Sequence, residues 1–145
     1  MGLCAPILIE AKLFRQEIDK NRKVGWDKLL TNKEREKWIK IIKEWNNQNI
    51  VIKRKIHNLI KKNIEKYEIH AFSDASQIAF GAAIYLRVIT KNEIITKLIF
   101  GKSLIIPSTL PTKRRTIPNL ELHATMLCAK YSEFVKKEIK KGDKR

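Results

Sequence analysis

The chain has 145 residues, 43% of them hydrophobic and 32% charged, which is typical of one globular domain or two small ones rather than of a disordered protein. Its 2 cysteines are too few and too far apart for a disulfide framework or a zinc cluster. No apolar run approaches the roughly 18 residues that a membrane span requires, and the N-terminus lacks the pattern of a signal peptide. The composition therefore predicts an intracellular protein that is not secreted and does not contact membranes.

The charge of the chain is strongly positive, with a formal net charge of +16 and an isoelectric point near 10.0. Basic residues outnumber acidic ones in both halves of the chain. This bias is expected where Lys and Arg side chains contact the phosphates of a long polyanion. An AT-rich genome, whose codons favour Lys and Asn, would produce a similar bias, so the charge alone leaves both explanations open.

The first part of the chain is predicted to be helical. A short helix is expected over residues 10–22. Thr31 and Glu34 have the spacing of a capping box, which opens a second helix. The apolar residues of that helix recur at helical spacing and favour a buried face over a base-stacking surface: Trp38, Ile41, Ile42 and Trp45. Residues 50–56 are predicted to be extended and basic, and residues 56–64 are ambiguous between strand and helix. A domain boundary is predicted near Lys66.

The second part is predicted to be a three-stranded antiparallel meander followed by one long helix. Apolar runs predict strands over residues 67–73, 78–88 and 94–101, joined by short turns. After a Pro-containing loop, a helix is expected from about Asn119 to residue 141, with Pro118 at its entry and Asn119 as its N-cap. The predicted fold class is therefore α+β.

Two carboxylates occupy informative positions. Asp74 directly follows an apolar strand pattern, where a charge is costly to bury unless something binds it. Glu121 is predicted to lie in the first turn of the C-terminal helix. A carboxylate at a strand end suits a hard cation such as Mg²⁺. Taken singly, however, Asp74 as a turn cap and Glu121 as a partner of the helix dipole are simpler explanations.

Four groups of segments together carry a family resemblance. They are Gly-Leu-Cys-Ala-Pro-Ile (2–7) with Ala-Lys (11–12), Gly-Trp-Asp (25–27), Ile-His-Ala-Phe-Ser-Asp-Ala-Ser (69–76) running on to residue 87, and Lys-Ser (102–103) with Thr-Ile-Pro-Asn-Leu-Glu-Leu (116–122). In this order they resemble the Pol polyprotein of BEL/Pao-type LTR retrotransposons. The resemblance implies a helical connection segment, residues 1–66, followed by the N-terminal half of a ribonuclease H domain, residues 67–145.

The resemblance also decides which chemistry is expected. This region of the polyprotein is often labelled a Pao retrotransposon peptidase, but an aspartic protease requires an Asp-Thr-Gly or Asp-Ser-Gly turn, which Asp74-Ala75-Ser76 is not. A ribonuclease H domain would instead use Asp74 and Glu121 as the first two carboxylate ligands of a pair of Mg²⁺ or Mn²⁺ ions. The implied reaction is hydrolysis of the RNA strand of an RNA–DNA hybrid.

The implied partners are the hybrid and the reverse transcriptase core of the same polyprotein, in a cytoplasmic virus-like particle or in the nucleus. The family needs a further Asp at the end of a fourth strand, and Asp143 has no apolar strand before it. We therefore expect an incomplete ribonuclease H-like fold that binds the metal ions weakly or not at all and is inactive alone. The alternatives are a non-catalytic basic module that binds nucleic acid and a degenerate retroelement remnant.

Four basic residues are the predicted nucleic-acid contacts: Lys102, Lys113, Arg114 and Arg115. The last three directly precede the C-terminal helix and so lie beside the implied site, where phosphate contacts position a nucleic acid. A solvated loop is the alternative explanation for these three. Asn119 departs from the family, which usually has Arg there, so a basic contact is missing at this position.

Overall fold

The computed structural model describes residues 2, 4–21, 27, 29–46, 51 and 64–142. These residues form three helices, α1 (Leu8–Asn21), α2 (Asn32–Asn46) and α3 (Ile117–Gly142), and three strands, β1 (Ile64–Ala75), β2 (Ala79–Thr90) and β3 (Ile94–Ile105). A short 3₁₀ helix, Thr112–Arg114, lies in the loop before α3. The predicted α+β class, with a three-stranded antiparallel meander and one long helix, is confirmed.

Some predicted features lie outside the described residues. They include most of the Gly-Trp-Asp segment (25–27), most of the predicted extended stretch and of the ambiguous stretch after it (52–63), and Asp143. Among the helices that are described, none is both long enough and apolar enough to cross a membrane.

The strands form one antiparallel sheet in the order β1-β2-β3. Each of the two pairings extends beyond the apolar pattern in the sequence: β1 begins at Ile64 rather than at Tyr67, and β3 continues to Ile105. Backbone hydrogen bonds between strands do not depend on side-chain polarity, so pairing continues through polar residues such as Lys66 and Lys102. The boundary predicted near Lys66 falls inside β1, and the division into domains 1–66 and 67–145 stays a prediction.

One face of the sheet is covered by α3. Ile84 and Val88 of β2 are 0% exposed, and Leu120 of α3 is 1% exposed. The ring of Phe100 on β3 contacts that of Tyr131 on α3, with centroids 4.6 Å apart. Fully burying one such aliphatic side chain contributes about 1.5–3 kcal/mol, so this interface is a principal source of the stability of the second part.

The helix α3 begins two residues earlier than predicted. The amide of Leu120 donates to the carbonyl of Thr116 (3.0 Å), so Thr116 precedes the first turn and the prediction that Asn119 is the N-cap is wrong. Pro118 lacks an amide hydrogen, which costs nothing in a first turn whose amides have no helical acceptor. Glu121 therefore follows the first turn, which contains no acidic residue, and its predicted place in that turn is also wrong.

The helix α2 begins at the predicted capping box. The amide of Thr31 donates to the Glu34 carboxylate (2.8 Å), and the amide of Glu34 donates to the Thr31 hydroxyl (3.4 Å). Trp38 stacks on Phe14 of α1, with ring centroids 5.8 Å apart, and meets Trp45 edge-on at 6.0 Å. The tryptophans therefore pack against each other and against α1, as the helical spacing predicts.

The N-terminal residues are attached to the end of β3 by polar contacts. The Ser103 hydroxyl donates to the carbonyl of Ala5 (2.8 Å). Lys12 Nζ donates to the carbonyl and the hydroxyl of Ser103 (2.6 and 3.1 Å), and Gln16 Nε2 donates to the carbonyl of Ile106 (2.6 Å). As a result, the helical part of the chain lies directly against the sheet.

Candidate functional site

Asp74 lies near the C-terminal end of β1, opposite Gly81 of β2. Its side chain is exposed and makes no hydrogen bond or ion pair within the part of the chain that the structure describes. The turn after it is held by Ser76, whose hydroxyl accepts from the amide of Ala79 (3.2 Å) and donates to its carbonyl (2.9 Å). Asp74 therefore does not cap this turn, and its carboxylate is available to a ligand.

An apolar cleft of about 560 Å³ lies beside Asp74. Its floor is the sheet, where Phe72 and Tyr85 are in edge-to-face contact with centroids 5.9 Å apart. Its wall is the N-terminal segment, including Pro6 and Ile9. The volume is in the range of pockets that hold small molecules.

The sheet register places Asp74 on the face opposite to α3. Directly opposed residues of antiparallel strands share a face, and the two faces alternate along each strand. Phe100 is paired with Ile84 and contacts α3, so Gly81, three residues away on β2, belongs to the other face. Asp74 is paired with Gly81 and lies on that other face, together with the cleft.

Glu121 lies on α3 directly after the buried Leu120, so it flanks the buried stripe of the helix. Its side chain is exposed, and its backbone carbonyl accepts from the Thr125 hydroxyl (2.9 Å). It is not among the residues that line the cleft beside Asp74. To bind one ion together, the two carboxylates would have to approach each other past the end of β1. That convergence stays a prediction.

The chemistry of these two acids fits a hard cation, which prefers carboxylate oxygens. Within the described residues there is no group of three or more His, Cys, Asp and Glu side chains that could hold a metal ion. Mg²⁺ is nevertheless commonly bound through only one or two protein carboxylates, because water and phosphate oxygens complete its coordination shell. Asp74 and Glu121 therefore have the ligand chemistry that suits Mg²⁺, and a site that they share stays a prediction.

The predicted basic contacts do not form one group. Lys102 is exposed and is paired with Ala82, which is paired in turn with Ser73, so it lies at the same end of the sheet as Asp74. Lys113 is exposed in the 3₁₀ helix. The side chain of Arg114 lies outside the described part of the structure.

The guanidinium of Arg115 binds backbone carbonyls of its own loop. Its Nε donates to the carbonyl of Leu110 (2.9 Å), and its Nη2 donates to the carbonyls of Ser108 (2.7 Å) and Pro107 (3.3 Å). Three backbone acceptors on one guanidinium give Arg115 a structural role in the loop before α3. Its predicted contact with nucleic acid stays a prediction.

Lys12 is a residue whose role the sequence did not reveal. Burial lowers the pKa of its ammonium group, and the nearby positive charge of Lys102 lowers it further. Its two hydrogen bonds to Ser103 join residues that are 91 positions apart. The available signal was that Ala-Lys (11–12) and Lys-Ser (102–103) both belong to the segments that carry the family resemblance.

Comparison with known proteins identifies the family of this chain. A family model described as Pao retrotransposon-like RNaseH-like domain matches residues 1–144. No curated protein and no solved structure matches the chain. The match covers the helices, the sheet and both candidate carboxylates, so the chain belongs to the Pao retrotransposon-like family of RNase H-like domains.

Proposed function

We propose that this chain is the part of a retrotransposon polyprotein that contributes Asp74 and Glu121 to a nuclease site for RNA–DNA hybrids. The observation that carries the proposal is the exposed Asp74 carboxylate, which the adjacent turn does not use, because Ser76 makes the hydrogen bonds of that turn. The family match over residues 1–144 supports the RNase H-like chemistry.

In this proposal Asp74 and Glu121 would hold Mg²⁺ or Mn²⁺ through their oxygens. Such ions supply an activated water and stabilise the charge that develops on the leaving oxygen of the RNA strand. The chain itself contributes position: β1 presents Asp74 at a fixed register against Gly81, and α3 presents Glu121 one residue after its buried anchor, Leu120.

We further propose that the chain does not cleave hybrids alone. Two-ion nuclease sites are built from several carboxylates, whereas the described residues contain no group of three potential ligands. The remaining acids would come from other parts of the polyprotein, with the reverse transcriptase core as a partner. The working enzyme would then be found in a virus-like particle or in the nucleus.

The first prediction concerns convergence of the two acids on one ion. Mn²⁺ is added to the isotope-labelled chain, and its paramagnetic broadening of backbone amide signals is measured. We expect broadening at both Asp74 and Glu121, and Asp74→Asn should weaken it at both positions, because both side chains would bind the same ion. Glu133→Gln, which removes an exposed acid from the same helix α3, should change neither signal.

Two outcomes of this experiment would contradict the proposal. Broadening at one acid alone would mean that the two carboxylates do not share an ion. No broadening at either, even at high Mn²⁺ concentration, would mean that these two acids hold no ion in this chain. Incubation with a labelled hybrid and Mg²⁺ or Mn²⁺ tests the inactivity separately, since cleavage lost in Asp74→Asn would show that the chain is competent by itself.

A non-catalytic module that binds nucleic acid is the second candidate function. The net charge of +16 favours it, because Lys and Arg contacts to phosphates dominate such affinity. It differs from the nuclease in one respect that can be measured: its binding would not depend on Asp74. A degenerate remnant, the third candidate, would be supported by frameshifts or stop codons in the flanking genomic sequence.

A further inference from the structure

A second cleft, of about 430 Å³, lies between α1 and the loop that follows β3. Most of the residues that line it are polar or charged, whereas mostly apolar residues line the cleft beside Asp74. On the α1 side it is lined by Lys12, Arg15, Gln16, Asp19 and Lys20, and on the other side by Ile105 and residues 107–109.

The lining of this cleft carries an excess of positive charge. Lys12, Arg15 and Lys20 face a single acid, Asp19, whose carboxylate lies 3.6 Å from Arg15 Nε. Lys102 adds a further positive charge close enough to Lys12 to lower its pKa. Like charges held near one another repel, and an anion bound between them would remove that repulsion.

Both walls of the cleft are fixed by hydrogen bonds before any ligand arrives. On one side, Lys12 is bonded to Ser103, and Gln16 to the carbonyl of Ile106. On the other side, the guanidinium of Arg115 binds the carbonyls of residues 107, 108 and 110. A preformed site loses less conformational entropy on binding, which favours affinity.

From this geometry we propose that the α1 cleft is a binding site for a phosphate group. The guanidinium of Arg15 and the ammonium of Lys20 would supply charge-assisted hydrogen bonds. Ser108 and Thr109, whose side chains carry hydroxyl donors, line the opposite wall. The ligand is a phosphate monoester or a phosphodiester. This site is independent of the metal site proposed above, so either one can fail without the other.

The second prediction tests this site by titrating inorganic phosphate into the full chain and following the amide signals of Ser108 and Thr109. We expect a saturable shift in the unmodified protein. The double variant Arg15→Gln with Lys20→Gln should weaken binding at least ~10-fold, because it removes both charged donors that the site offers to the phosphate. The single variant Lys20→Gln, which keeps the pair of Arg15 and Asp19, should weaken binding less and tests the site if the double variant does not fold.

The matched control is Arg35→Gln with Lys40→Gln, which removes one Arg and one Lys from exposed positions of α2 that do not line the cleft. It should change the affinity less than about 2-fold, since distant exposed charges are screened by salt. Equal weakening by both double variants would mean that phosphate responds to overall charge, and it would overturn the site. Absence of a saturable shift in the unmodified chain would overturn it as well.

Competition between a DNA oligonucleotide and inorganic phosphate identifies the molecule that carries the phosphate group. If it shifts Ser108 and Thr109 and competes with inorganic phosphate, the site binds a nucleic-acid backbone. If inorganic phosphate binds and the oligonucleotide leaves both signals unchanged, the ligand is the phosphate of a small molecule. Both results support the site, and each names a different ligand.

Discussion

Glu68 illustrates how single residues respond to their neighbours on the sheet. Its carboxylate lies 2.8 Å from Lys66 Nζ and 3.1 Å from both His70 Nε2 and Arg87 Nη1. Hydrogen bonds from Lys66 and His70, with the positive charges of Lys66 and Arg87, lower the pKa of Glu68 from 4.5 to about 2. His70, which alternates with the core along its strand, therefore has a structural partner.

The third prediction follows from this pKa. A carboxyl group whose pKa is lowered by folding stabilises the folded state above its unfolded pKa, and that contribution is lost as the pH falls. For Glu68 the loss should occur between pH 4.5 and about 2. Unfolding in urea, measured across this range, should show Glu68→Gln less stable than the unmodified chain near neutral pH, with the difference vanishing near pH 2.

The variant Lys66→Met provides the matched test for the same group. It removes the largest cause of the lowered pKa, so the pH at which the Glu68 signal titrates should rise towards 4.5. An unchanged titration in this variant would show that Lys66 does not perturb Glu68.

At the scale of the elements, the position of the N-terminal segment depends on two glycines. Gly2 has φ of +118°, and a Cβ atom built on it would lie 2.2 Å from the backbone nitrogen of Gly101 on β3. A Cβ on Gly101 would lie 3.0 Å from the Gly2 carbonyl oxygen. This close backbone approach brings the segment over the sheet, where it forms the wall of the cleft beside Asp74.

The fourth prediction is that Gly2→Ala separates this segment from β3. The amide of Ala5 donates to the Gly2 carbonyl (3.0 Å), so its hydrogen exchange reports on the attachment. Exchange at Ala5 should accelerate at least ~10-fold, because a left-handed conformation alone costs a side-chain-bearing residue about 1–2 kcal/mol, and the overlap adds to that cost. Gly101→Ala, with its milder contact, should have a smaller effect.

The decisive result is that Gly2→Ala accelerates hydrogen exchange at Ala5 more than Gly101→Ala does. An Ala5 exchange rate that is unchanged in Gly2→Ala would mean that the close approach does not hold the segment. The buried amides of β2 should keep their protection in both variants, because the interface with α3 lies on the other face of the sheet.

At the scale of the whole molecule, the net charge of +16 dominates the expected interaction with nucleic acid. The fifth prediction is that binding to a hybrid or a duplex weakens steeply with salt. If about six phosphates are contacted, the affinity should fall roughly 10³-fold between about 50 and 200 mM salt. Fluorescence anisotropy of a labelled duplex, repeated at several salt concentrations, measures the slope.

The comparison with Asp74→Asn separates the two candidate functions in the same assay. A non-catalytic module predicts the same affinity and slope for the variant, with or without Mg²⁺. A metal site in contact with the backbone predicts that Mg²⁺ strengthens binding of the unmodified chain more than that of the variant. A flat dependence on salt would argue instead that the charge reflects codon bias.

The sequence by itself determined the elements whose causes are local. The apolar runs and the short turns between them predicted three strands and their order, and the capping box of Thr31 and Glu34 predicted the start of α2. These patterns depend on neighbours within a few residues, so the chain contains the information directly. The start of α3 was misjudged because Pro118 is compatible both with a helix entry and with a first turn.

Only the tertiary structure decided where the elements meet. Pairing of Asp74 with Gly81 placed this acid on the face opposite to α3. The hydrogen bonds of Lys12 to Ser103 attached α1 beside β3, where α1 forms one wall of the α1 cleft. Such contacts join residues that are distant along the chain. Their geometry follows from how the layers pack rather than from any local pattern.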